Sequence, residues 1–239
     1  MAENPFDAAE FESNPERRCP VVLVLDTSMS MHGEGIRQVN DGLQRLERDL
    51  KADALASLRV EIGIVTFGGS VATIDVREGT SAAIQPNANI AFVTADAFQA
   101  PTLRADGDTP MGAGVRQGLE LLRGRKAMYK QAGIPYFRPW LFLISDGQPT
   151  DRDWESAAAD ARIEESVNGV SVFPVGVDTA DMEKLRMFSS ERTPIALTGI
   201  EDFGKLFEWL SNSLAAVANS RPGQQVELPP VSGWATITP

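Results

Sequence analysis

The residues of this chain best suited to chemistry are oxygen donors. Asp26-Thr27-Ser28-Met29-Ser30 sets one carboxylate and two hydroxyls at alternate positions. In an extended segment entering a turn, alternate side chains point the same way, so the oxygens of Asp26, Ser28 and Ser30 converge. Thr109, in Gly107-Asp108-Thr109-Pro110-Met111, and Asp146, in Ile144-Ser145-Asp146-Gly147, offer further donors from distant parts of the chain. No His or Cys stands among them. Carboxylates and hydroxyls suit Mg²⁺, with Mn²⁺ or Ca²⁺ as alternatives, and do not suit Zn²⁺. Hydroxyls are neutral, so an ion held by them directly stays under-neutralised and would accept an anionic oxygen from outside the protein.

These residues are placed by the elements before them. Val21 to Leu25 is an unbroken apolar run, the pattern of a strand buried on both faces in a parallel sheet. Asp26 follows its C-terminal end, where open α/β sheets place their binding crevice. Ile36, Val39, Leu43, Leu46 and Leu50 recur at helical spacing. Leu58 to Phe67 reads as a strand, turned by Gly68 and Gly69 into a second near Val71 to Val76, an antiparallel edge hairpin. Residues 78–108 are irregular. A helix from Met111 carries Gly112, Gly114 and Gly118, which permit close backbone approach at a cost of about 1 kcal/mol each relative to Ala.

Pro139 to Ile144 is another buried strand. Asp151 or Asp153 is suited to cap the alanine-rich helix that follows. Val170 to Val177 is a strand ending at Asp178, itself suited to helix capping. A short helix near 182–188, a strand at Ile195 to Leu197 and a helix over 202–217 complete the pattern. Alternating strands and helices predict an α/β fold: a doubly wound, three-layer α/β/α sandwich with a mostly parallel sheet and one antiparallel edge strand. Three segments are expected: a leader over 1–18, the domain over 19–219, and a proline-rich tail over 220–239 that Trp234 and Ile237 staple to the surface, with an exposed recognition segment as the alternative.

Composition narrows the function. The 239 residues carry 22 Lys and Arg against 33 Asp and Glu, a formal net charge of −11, which disfavours a nucleic-acid partner. No window approaches the roughly 18 apolar residues of a membrane span. The N-terminus lacks the apolar segment of a secretory signal. The single cysteine, Cys19, excludes an internal disulfide and fits a reducing compartment, so a cytoplasmic location is expected. Arg123, Arg125, Lys126 and Lys130 form the one basic cluster, expected to complement a helix C-terminus, with an acidic docking partner as the alternative.

At the five donor positions the sequence resembles the von Willebrand factor A-type domain, whose metal-ion-dependent adhesion site reads Asp-x-Ser-x-Ser, then Thr, then Asp. The wording of the motifs is similar to the bacterial TerY-type proteins of tellurium-resistance and stress clusters. The resemblance implies a binding module rather than an enzyme. Ser28, Ser30 and Thr109 would ligate Mg²⁺, Asp26 and Asp146 would hold metal-bound waters, and a partner's Asp or Glu would complete the shell. It also implies partners such as the protein kinases and phosphatases of the same systems. Met29, Met31, His32 and Asp108 are the expected rim, Asp108 being a departure from the small residue usual in similar proteins.

Two other readings stand beside this one. A strand-end Asp with Mg²⁺ suits a phosphohydrolase using an aspartyl nucleophile, but such enzymes carry a second acid two residues on, where this chain has Ser28. The other is a metal-independent scaffold that binds through its tail and sheet edge.

Overall fold

The computed structural model of the chain describes residues 14–146, 148–177, 180–197, 202–220 and 228–230, with the backbone of Ala235–Ile237. In chain order the elements are β1 (Cys19–Asp26), α1 (Glu34–Ala52), the single turn α2 (Ala56–Arg59), β2 (Val60–Gly68), β3 (Ser70–Ile74), β4 (Ala83–Ile84) and β5 (Val93–Thr94). Then come α3 (Met111–Ala132), β6 (Trp140–Ser145), α4 (Trp154–Ser166), β7 (Ser171–Gly176), α5 (Met182–Arg186), β8 (Ile195–Leu197), α6 (Phe203–Ala218) and β9 (Ala235–Ile237).

The unbroken apolar run of β1 is explained by its place. β1 is buried throughout, between β2 and β6, with both pairings parallel. Val21, Leu23 and Leu25 face the core under α1 and α6, where Leu43, Leu46, Phe207 and Leu210 pack. Val22 and Val24 face the opposite core, beneath α3, with Val115 and Leu119. Each such side chain contributes about 1.5–3 kcal/mol relative to exposure. Any one-residue slip would exchange the two faces, so this register is firmly specified.

The sheet order is β4-β3-β2-β1-β6-β7-β8-β9, with β5 also paired to β2. From β2 through β8 the central strands are parallel. The expected hairpin is there, with β3 antiparallel to β2, and the short β4 extends the sheet beyond it. From β1 the chain crosses first to β2 on one side and later to β6 on the other. The C-terminal ends of β1 and β6 therefore flank the topological switch point, where such sheets open a crevice.

Several local expectations change. Leu58 and Arg59 belong to the helical turn α2, whose Ala56 amide is accepted by Asp53 at 2.7 Å. Asp153 precedes α4 but its side chain does not cap it; it pairs with Arg116 instead. Asp151 reaches across to α3 and accepts the Ala113 amide at 2.9 Å. The glycines of α3 do permit close approach: a Cβ on Gly112 would lie 2.6 Å from Trp154 Cα, and one on Gly118 2.8 Å from Val24.

The basic cluster loses one member: Arg125 leaves it for the interior, while Arg123 and Lys126 both meet Glu164 and Lys130 stays in the last turn of α3. Arg125 turns inward to Glu61 at 2.7 Å, Arg123 pairs with Glu164, and Lys126 donates to the Gly169 carbonyl at 2.9 Å. Spacings of three and four keep Arg123, Lys126 and Lys130 on one face of α3, whereas Arg125, one residue before Lys126, points to another side. Glu61 also meets Arg18 at 3.1 Å and the Tyr129 hydroxyl at 2.5 Å, so a buried ionic network closes the N-terminal end of the sheet.

Candidate metal site

Asp26, the last residue of β1, is 1% exposed. Its Oδ1 accepts the Ser28 amide at 2.8 Å, and its Oδ2 accepts the Ser145 hydroxyl at 2.5 Å. Burial pushes the carboxyl above the ordinary range, and the hydrogen bonds from Ser145 and Ser28 only partly oppose it. A nearby cation would reverse that, since opposite charge favours the ionised form.

The first bond folds the chain after β1 into a tight turn, and a 3₁₀ turn over Met29–Met31 follows. Ser28 and Ser30 thereby come together, their hydroxyl oxygens 3.0 Å apart. Ser30 in turn donates to Asp146 Oδ1 at 2.8 Å, joining the loop after β1 to the loop after β6. Four of the five expected donors, Asp26, Ser28, Ser30 and Asp146, thus stand at one strand-end crevice.

Thr109 is 7% exposed and is held through its backbone. Its amide donates to Thr150 Oγ1 at 3.1 Å, and its carbonyl accepts from the amides of Thr150 at 3.0 Å and Met111 at 2.8 Å. Its loop is stitched to the first by Met29 N to Gly107 O and by Asp106 N to Thr27 O, at 2.9 and 2.8 Å. Gly107 has φ +71°, and a Cβ there would collide with the backbone of Gly69. Glycine at this position is what lets the two loops touch.

The donor set fits a hard divalent ion. Oxygens about 2.1 Å from Mg²⁺ in an octahedron stand about 3 Å apart, the spacing seen across Ser28, Ser30 and Asp146. Among the described residues no group of three or more His, Cys, Asp or Glu is placed to hold a metal.

The expected rim divides. Met29 is 55% exposed, and His32 and Asp108 are also on the surface. Met31 is not: it is buried, packed against the backbone of Gly35 in the first turn of α1. The 3₁₀ turn points successive side chains to different sides, which sends Met29 outward and Met31 inward. Asp178 and Trp234, and the side chain of Ile237, lie outside the described residues. The residues missed in the sequence are Ser145 and Thr150. A hydroxyl at a strand end gave a faint signal, but only the pairing of Leu25 with Ile144 sets Ser145 beside Asp26.

The family profile of the von Willebrand factor type A domain matches residues 21–210. This chain is a member of that family. In the family, that is a fold of metal-dependent adhesion and protein interaction. Several solved structures are similar at low identity. The pilus adhesin SpaC from Lactobacillus rhamnosus GG aligns with TM-score 0.60 and 14% identity over 84% of this chain and 30% of its own. The type V pili tip protein Mfa5 from Porphyromonas gingivalis gives 0.59 and 11%, covering 88% and 99%. Proximal thread matrix protein 1 from the mussel byssus, with a zinc-occupied metal-ion-dependent adhesion motif, gives 0.52 and 16%, covering 84% and 48%. This chain spans about half or less of the byssus protein and the SpaC adhesin. At such identities the likeness concerns the fold alone. No curated protein matches the sequence. Among the described residues, no helix is long and apolar enough to cross a membrane.

Proposed function

We propose that this von Willebrand factor A domain is a divalent-metal-dependent protein-binding module, and not an enzyme. Asp26, Ser28, Ser30, Thr109 and Asp146 hold Mg²⁺, or Mn²⁺ or Ca²⁺ in its place. The observation that carries the reading is the continuous oxygen chain Ser28–Ser30–Asp146, closed across two loops at the switch point of the sheet. When bound, the ion supplies a Lewis-acid position for a carboxylate of the partner. The chain's own part is to set the hydroxyls in place, to bury Asp26 as a fixed negative charge, and to present Met29, His32 and Asp108 around the opening.

The burial of Asp26 also favours binding over phosphoryl transfer. Both of its oxygens are engaged, one by an amide and one by a hydroxyl, which is unfavourable for an attacking group. The similarity of the motifs to TerY-type proteins supports a cytoplasmic setting in a bacterial stress or tellurite-resistance system. An acidic partner from the same system, a kinase or phosphatase, would fit it. The zinc-bearing motif of the byssus protein makes zinc a necessary comparison ion, although hard donors favour the others.

Isothermal titration of the chain with Mg²⁺, Mn²⁺, Ca²⁺ and Zn²⁺ tests the reading. Saturable binding is expected, weakened at least tenfold by Ser28→Ala with Ser30→Ala. Binding unchanged by that double substitution would sink it.

A further inference from the structure

A second surface, which shares no residue with the metal site, lies where α6 covers β7 and β8. It is a groove of about 390 Å³ whose walls include Phe173, Arg192, Ile195 and Trp209, and it is bordered by Leu228, Pro229 and Pro230 of the tail. Phe173 and Trp209 meet edge to face at 6.2 Å between ring centroids, and the Arg192 guanidinium lies 4.6 Å over Phe173. The Trp209 Nε1–H donates to the Pro229 carbonyl at 2.6 Å. Five residues beyond Pro230 the tail forms β9, antiparallel to the three-residue β8.

We propose that this groove is a docking site for an extended proline-bearing segment, walled on one side in cis by the chain's own tail and open in trans to a partner segment of the same Leu-Pro-Pro chemistry. Proline has no backbone N–H, so a Pro-Pro segment cannot join a ladder as a donor and is recognised through ring packing and its carbonyls. The groove offers both: flat aromatic walls and an indole donor aimed at a prolyl carbonyl, the means by which proline-rich segments are bound generally. The edge of β8 provides strand addition immediately beyond. Among the described residues the tail is fastened by one indole hydrogen bond, the packing of Leu228 against the core and a ladder of three residues. A short ladder of this kind is marginal by itself, so the tail can be exchanged.

The probe is a fluorescein-labelled peptide of residues 226–237, titrated by anisotropy against the full chain. A second full chain carries Leu228→Ser, Pro229→Ser and Pro230→Ser, which weaken the hold of the cis tail. The weakened chain is expected to bind the peptide at least tenfold more tightly than the intact one. Adding Trp209→Phe, which keeps an aromatic ring and removes the N–H, is expected to lose at least tenfold. No binding by a weakened chain that melts cooperatively, or affinity indifferent to Trp209→Phe, overturns the proposal. Hydrogen exchange of the Trp209 indole proton in the intact chain gives an independent reading. Exchange faster than the amides of β1 supports a tail that opens, and exchange only with global unfolding marks a permanent strap.

Discussion

Ser145 shows how much one hydroxyl can decide at the residue scale. It is fully buried and donates to Asp26 Oδ2, so the carboxylate that ends β1 keeps both oxygens satisfied. Ser145→Ala leaves that oxygen without a donor at a cost of about 1–3 kcal/mol. The loss should appear as a lower urea midpoint with unchanged m-value in chelator, and as weaker metal binding in titration. Cys19 is the contrasting case. It is fully buried at the start of the same strand, and burial first, with the charge of Glu61 second, pushes its thiol up to about 12. It packs as a small apolar residue, and the thiol should stay unreactive toward disulfide reagents at pH 8 until the chain is unfolded.

At the scale of elements, the site is made by loops that rigid neighbours hold still. The loops after β1 and before α3 bond to each other through backbone, and Gly107 is their closest approach. Gly107→Ala adds a Cβ where φ is +71° and Gly69 leaves no room. A destabilisation of about 1–3 kcal/mol is expected from the strained backbone, and more if the loops separate. Because the contact sets Thr109 relative to Ser28 and Ser30, calorimetry should show metal affinity falling with stability. Loss of stability with unchanged affinity would mean that the loops are positioned independently.

At the scale of the whole molecule, stability and pH are linked through buried charge far from the site. Glu165, at the end of α4, is fully buried and accepts from the Val172, Ser190 and Glu191 amides, the Ser189 hydroxyl and Arg192. Burial raises its carboxyl, but the hydrogen bonds from Val172, Ser189, Ser190 and Glu191 outweigh it and hold the group below the ordinary range. A lowered folded value gives stability that is present above the ordinary value of 4.5 and lost as pH falls through the folded one. Glu165→Gln should cost about 1–3 kcal/mol at pH 7 and flatten the dependence of thermal midpoint on pH below about 4.5. An equally steep acid limb in the variant would place that linkage elsewhere.

The sequence by itself determined the layers, because burial periodicity is a local property. The run Val21 to Leu25 could only be a strand covered on both faces, and the stripe from Ile36 to Leu50 could only be a helix over one of them. It also carried the family, through five donors in order. What it left open depended on register and on contacts between distant segments. Met31 is one residue from Ser30, yet a turn sends it into the core. Arg125 is one residue from Lys126, yet the helix turns it inward to Glu61. Ser145 beside Asp26, Thr150 around Thr109, and the tail on Trp209 are pairings of segments far apart in the chain. Tertiary structure alone decided them, since no local pattern records which strand ends will lie side by side.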